Sequence, residues 1–167
     1  ARREARLRMT EPLLHVEHLS KEFPVDSSVF SKEKKSVKAV DDISFDIFPG
    51  ETFGLVGESG CGKSTTGRCI MRLTHPTGGK VLFNGEDVSA MHKKDLKRMR
   101  HDMQFIFQDP YASLNPRMTI GEIISEPLVI HGEMPDKTER MNYVRELLDV
   151  VGLNPEHINR YPHEFSG

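Results

Sequence analysis

A chain of 167 residues, 37% hydrophobic and 29% charged, has enough apolar material for one ordinary domain and too little for two independent cores. A formal net charge of -2 argues against general nucleic-acid electrostatics, and two cysteines, Cys61 and Cys69, are too few for a disulfide framework. No apolar run reaches the roughly 18 residues a membrane helix needs. The start, "ARREARLRMT", is basic but lacks the apolar stretch of a secretory signal, so a solvated terminus is expected.

In chain order, "LLHVEHLSKEF" (Leu13 to Phe23) alternates as a strand does, and the lysine-rich "PVDSSVFSKEKKS" after it reads as a surface loop. His15 and His18 lie three apart on that strand, which places them on opposite faces; neither needs a metal to explain it. "VKAVDDISFDIFPGETFGLVG" supplies an alternating strand, a Pro49-Gly50 turn and a short apolar strand over Thr52 to Val56. A glycine-rich loop follows, then a helix from about Lys63 to Leu73, stopped before Pro76. Asn84-Gly85 in "GGKVLFNGEDV" is a hairpin signal.

Beyond Ser89, "MHKKDLKRMRH" reads as a short basic helix and "MQFIFQD" as a buried strand. "TIGEIISEPLVI" is helical, with Pro127 interrupting or ending it. "DKTERMNYVRELLDVVG" is the clearest helix. Asp136 and Glu139 have capping-box spacing, Met141, Val144, Leu147, Leu148 and Val151 make an apolar stripe, and Gly152 is the terminator.

The glycine-rich loop carries the chemistry. Gly57-Glu58-Ser59-Gly60-Cys61-Gly62-Lys63-Ser64 fits G-x-x-x-x-G-K-[ST], with a strand expected before it and a helix after. Gly57, Ser59, Gly60, Cys61 and Gly62 curl the backbone so that its N–H groups line a concave wall for phosphate oxygens. The helix N-terminus adds free amides and the positive end of its dipole. Lys63 is expected at the β and γ phosphates, the Ser64 hydroxyl on magnesium, and Thr65 and Thr66 at the α phosphate. A glycine-rich surface turn is the plainer alternative. Cys61 sits where a thiol pKa is lowered, yet no histidine is placed beside it by sequence, so oxidative sensitivity is a better expectation than catalysis.

Four stretches together carry a family likeness: "GESGCGKSTTGR", "FIFQDPYASLNPRMTIGEII", the insertion after the first strand, and "RYPHEFSG". With them the chain resembles the nucleotide-binding subunit of ATP-binding cassette (ABC) transporters, in the oligopeptide and dipeptide importer branch with its nickel-importer relatives. The resemblance implies an α/β P-loop NTPase of ABC type. Residues 11–108 would form antiparallel strands plus part of the P-loop core, and 109–167 part of a helical subdomain ending at the signature. It implies ATP and Mg2+ as ligands, transmembrane permease subunits and a second ATPase subunit, identical or paralogous, as partners, and a peripheral place on the cytoplasmic face of the membrane. No nucleic-acid partner is expected.

Residue by residue, the resemblance puts Phe23 against adenine, with Phe30 and Val37 as alternatives, although Phe23 also suits a sheet edge. Gln108 matches the glutamine that contacts magnesium and the attacking water. Tyr111, Leu114 and Arg117 would lie nearer the permease, while Met118, Ile120, Ile123 and Ile124 pack within the helical region. Ser166 and Gly167 match the signature serine and first glycine, which complete the partner subunit's site. The family's Walker B aspartate, catalytic glutamate and switch histidine have no counterpart here, so these residues alone are expected to bind nucleotide weakly, without normal turnover. A nonenzymatic nucleotide-binding fragment is one alternative. A nucleic-acid maintenance ATPase using the basic run Lys93, Lys94, Lys97, Arg98 and Arg100 is another.

Overall fold

Strand formation begins where apolar side chains alternate with polar ones, and the first such run, Leu14–Val25 (β1), becomes the centre of an antiparallel sheet. The computed structural model describes residues 11–25 and 35–165. These fall in two compact units, residues 1–105 and 106–167. In the first, β1 pairs on one side with β2 (Lys35–Ile47) and on the other with β3 (Gly78–Phe83), which continues to β4 (Glu86–Asp87). The order across the sheet is β2-β1-β3-β4. Asn84 and Gly85, at φ 49 and 78, make the tight turn between β3 and β4 that their dipeptide predicted.

The inner face of this sheet, Leu14, Val16, Leu19, Val40, Val81 and Phe83, packs with Cys69, Val88, Met91 and Met99 into one core. Each fully buried aliphatic side chain contributes about 1.5–3 kcal/mol, so this cluster is the main stabilising term of the unit. Cys69 comes from the helix Lys63–Ile70 (α1) and Met99 from the helix Lys93–Asp102 (α2). α1 is shorter than its sequence suggested: it stops at Ile70, and Arg72 turns back at φ 50. The Arg72 guanidinium donates to the carbonyls of Val88, at 3.0 Å, and Met91, while Arg100 of α2 donates to the Arg72 carbonyl at 3.1 Å. Carbonyls at the end of α1 and in the loop before α2 thereby acquire charged donors.

The histidines of β1 depart from expectation. The ladder shifts register between Val16 and Leu19, and the extra residue rephases the strand, so that Leu14, Val16 and Leu19 all point inward. His15 and His18 therefore share the outer side. His15 Nδ1 lies 2.6 Å from Asp46 Oδ1, and His18 Nδ1 lies 2.6 Å from Asp42 Oδ1, both carboxylates belonging to β2.

Two expected strands do not form. Neither Thr52–Val56 nor residues 103–107 enter a ladder, and Val56 and Ile106 are 90% and 91% exposed. A strand exists only by pairing, and among the described residues nothing pairs with either segment. Phe53 is fastened by stacking on Phe45 of β2, ring centroids 4.8 Å apart.

The second unit is helical: Pro110–Ser113 (α3), Ile120–His131 (α4), Lys137–Val150 (α5) and two 3-10 turns, Pro155–Asn159 and Pro162–Phe165. Val144, Leu148 and Ile158 form its core, with Ile120, Ile124 and Met141 packed against them. The apolar stripe of α5 ends early, since Val151 is 68% exposed at the C-cap. Gly121 allows α4 to meet the 3-10 turn closely, because an added Cβ would lie 2.6 Å from Ile158.

Pro127 does not break α4, contrary to the sequence expectation. The helix is fastened at both ends: Gly132 closes it in the left-handed conformation, and Thr119 and Glu122 form a reciprocal capping box. Glu122 N donates to Thr119 Oγ1, and Thr119 N donates to Glu122 Oε2 at 2.8 Å. At the start of α5, Asp136 accepts from Glu139 N at 2.8 Å, as its spacing predicted.

The hydrogen bonds from the Thr119 backbone and hydroxyl hold the Glu122 carboxyl below the ordinary carboxylate range. A depressed folded-state pKa adds stability above the unfolded value and loses it as pH falls through the folded one. Thermal melts from pH 7 downward should therefore show a loss in the wild type that Glu122→Gln lacks. Thr119→Ala should cost about 0.5–2 kcal/mol at neutral pH, read by urea denaturation.

Candidate phosphate-binding site

The glycine-rich loop leads into α1 through Gly62, the N-cap, at φ 96 and ψ 0. That conformation favours glycine, and the space demands it too: a Cβ on Gly62 would stand 1.9 Å from the Ala39 carbonyl oxygen of β2. No side chain caps α1. The first intrahelical bond runs from Thr66 N to Gly62 O, at 2.8 Å. The amides of Lys63, Ser64 and Thr65 lie before it and, by helix geometry, lack intrahelical acceptors. They face the loop with the positive end of the helix dipole behind them.

Lys63 folds its side chain over the loop. Its Nζ donates to the carbonyls of Gly57, at 2.7 Å, and Glu58, at 2.6 Å, and approaches Cys61 Sγ at 3.5 Å. A cation and a row of outward amides thus converge on one concave backbone, an arrangement suited to phosphate oxygens. The Ser64 side chain is exposed at this mouth and Thr65 is half-buried. Thr66 differs from expectation. It is 3% exposed and its hydroxyl donates to Gly62 O at 3.1 Å, so that hydroxyl closes the turn instead of facing the loop.

Both cysteines are free thiols, Cys61 exposed and Cys69 buried. Burial pushes the Cys69 thiol up. Among the described residues, no three His, Cys, Asp or Glu side chains gather as a metal cluster. A magnesium ion in this unit would depend on the Ser64 hydroxyl and on phosphate oxygens, the sparse protein ligation that magnesium commonly accepts.

Phe23 lies on β1 opposite Val37, and these side chains are 41% and 56% exposed. Ala39, two residues along β2, meets Gly62, so strand spacing sets Phe23 on the order of 10 Å from the head of α1. Lys21, overlooked in the sequence reading, stands over the Phe23 ring at 4.8 Å. Its signal was the i, i+2 spacing along a strand. Phe30, Ser166 and Gly167 lie outside the described residues.

In the helical unit, Gln108 is exposed just before α3, whose N-cap Asp109 accepts from Ala112 N at 3.0 Å. Tyr111 is 59% exposed and Arg117 is exposed, while Leu114 is half-buried. Ile120 and Ile124 pack on the helical core. Of the five basic residues considered for nucleic acid, Arg98 pairs with Glu86 at 2.7 Å and Arg100 is engaged by carbonyls.

A left-handed glycine cap, a lysine inside the loop and an uncapped helix start define a P-loop nucleotide-binding fold. The ABC transporter family profile matches residues 40–167, and the chain belongs to that family. It is 59% identical over 160 residues to the oligopeptide transport ATP-binding protein OppF of Bacillus subtilis, covering 95% of this chain and 50% of that protein. It is 52% identical over 157 residues to the glutathione import ATP-binding protein GsiA of Escherichia coli K12, covering 94% of this chain and 25% of that one. The chain thus spans about half or a quarter of the curated relatives it matches. Among solved structures, a dimeric ATP-binding cassette in a post-hydrolysis state, bound to ADP and phosphate, superposes with a TM-score of 0.75 at 26% identity. That match covers 92% of this chain and 63% of the other. The fold is that of ABC ATPase cassettes.

Gly62→Ala should cost more than about 1 kcal/mol through backbone strain alone, with the Ala39 contact adding to it. A lowered thermal midpoint together with lost binding of inorganic triphosphate is the expected result.

Proposed function

We propose that this chain is the nucleotide-binding part of an importer ATPase whose solute is a peptide or a peptide-like molecule. The observation that carries this reading is the 59% identity to an oligopeptide transport ATP-binding protein along 95% of the chain. The resemblance to a glutathione import protein fits the same class of solute. The ligand is ATP with Mg2+, and the partners are permease subunits and a second ATPase subunit. Dimeric structures of related cassettes support the latter. Among the described residues no helix is long and apolar enough to cross a membrane. From the likeness to importer ATP-binding proteins we assign a peripheral position on the cytoplasmic face of the membrane.

In this reading the amides of Lys63, Ser64 and Thr65 bind phosphate oxygens, and the Lys63 ammonium exchanges the Gly57 and Glu58 carbonyls for the β and γ phosphates. A charged donor held in place requires little rearrangement as charge develops on the transferred group. Thr66 keeps the first turn closed and Phe23 stacks on adenine. Ser64 would ligate the metal, and Gln108, by its match to the family's glutamine, would contact metal and attacking water. Tyr111, Leu114 and Arg117 face the permease. Ser166 and Gly167 serve the partner's nucleotide. Magnesium, when bound, supplies charge neutralisation between phosphate oxygens.

Hydrolysis also needs a carboxylate to position the attacking water, a role this reading gives to no carboxylate of residues 1–167. Taken alone, this 167-residue chain should bind ATP while hydrolysing it at least ~100-fold more slowly than the intact OppF relative. Equal turnover by a monodisperse sample would overturn that division of labour. Lys63→Ala removes a charge-assisted bond worth about 1.5–3 kcal/mol, so calorimetry should show ATP bound about tenfold to a hundredfold more weakly. Unchanged affinity would remove Lys63 from the site.

A further inference from the structure

Lys21 has no part in the phosphate loop, yet its ammonium is placed with care. Its Nζ lies 4.8 Å from the centroid of the Phe23 ring, within the range where a cation is attracted to an aromatic face. No other ring or charge contact to Phe23 is found among the described residues, and the side chain remains 41% exposed. One ring face is therefore taken by the cation while the residue stays open to solvent.

The same ammonium makes itself felt toward α1. Burial raises the Cys69 thiol, and the Lys21 charge acts in the opposite direction. Lys21 is also opposite Val40, a core residue beside the Ala39 contact with Gly62. The cation and the ring thus stand on the flank of the sheet that holds the phosphate loop.

A cation over one face of an aromatic ring draws π density toward itself and leaves the opposite face less negative. Such a face stacks better against an electron-rich base. We infer that Lys21 is a positioning residue for the nucleobase: it fixes and polarises the Phe23 ring, strengthening the base-dependent part of nucleotide affinity without touching phosphate. The inference rests on the reading that Phe23 stacks on adenine, and deepens it.

The test uses the full-length protein that contains this chain, with Mg2+, and calorimetric titration of both ATP and inorganic triphosphate. Lys21→Met keeps the length of the side chain and removes its charge. It should weaken ATP about two- to fivefold and leave inorganic triphosphate unchanged. Lys21→Arg, which keeps the cation, should retain wild-type affinity for both. In a Phe23→Leu background, Lys21→Met should have no further effect, the signature of a coupled pair. Equal losses for ATP and triphosphate would overturn the inference, as would an undiminished Lys21→Met effect without the ring. If Phe23→Leu itself leaves ATP affinity at the wild-type value, the stacking reading falls first and takes the role of Lys21 with it. If Phe23→Leu weakens ATP while Lys21→Met does not, only the inference about Lys21 fails.

Discussion

The approach of Gly62 to the Ala39 carbonyl is the constraint on which this arrangement depends. Backbone meets backbone there, with no room for even one methyl group, so the head of α1 is seated on β2. The neighbouring groups are measured from that seat: the three leading amides of α1, the Lys63 ammonium folded over the loop, and the Phe23 ring farther along the sheet. A protein interior packed at crystalline density transmits such a contact rigidly. The antiparallel sheet is therefore a ruler that sets how far the Phe23 ring stands from the head of α1.

Local rules were legible wherever the determining contacts lie close in sequence. Asn84-Gly85 gave its hairpin, Asp136 its helix start, and the loop from Gly57 to Ser64 its place before a helix, because backbone conformation and capping are decided within a few residues. Long-range contacts defeated the same rules. Thr52–Val56 and residues 103–107 have the composition of strands, but pairing is a property of two segments and no partner is present for either among the described residues. The bulge after Val16 brought His15 and His18 to the same side of the sheet, since one extra residue rephases a period of two. Pro127 misled for a related reason. Its local cost is outweighed by caps and packing that the proline itself does not reveal.

Within the candidate site the division is similar. The junction of glycine-rich loop and helix was readable from the motif alone, whereas the employment of each hydroxyl was not. Thr66 is one turn into the helix and spends its hydroxyl on the Gly62 carbonyl, leaving Ser64 and Thr65 nearer the mouth. Lys21 was hidden because a lysine on an edge of alternating sequence looks like solvated surface. Only the geometry of its neighbour distinguishes it. The helical unit illustrates a different economy: Ile120 and Ile124 serve its core, while Gln108, Tyr111 and Arg117 remain at its surface, so one short stretch divides its side chains between packing and solvent.

The outer side of the sheet has a consequence of its own. His18 and Asp42 both occupy the left-handed region, at φ 49 and 51, where non-glycine residues are strained, and their side chains meet across the strands. The hydrogen bond to Asp42, reinforced by its charge, raises the His18 pKa above the ordinary histidine value. A raised folded-state pKa means that the attraction is fully present below the unfolded value and fades as pH climbs through the folded one. The bend in the central strand is thus proton-fastened, gripped more tightly in weakly acidic solution than in alkaline.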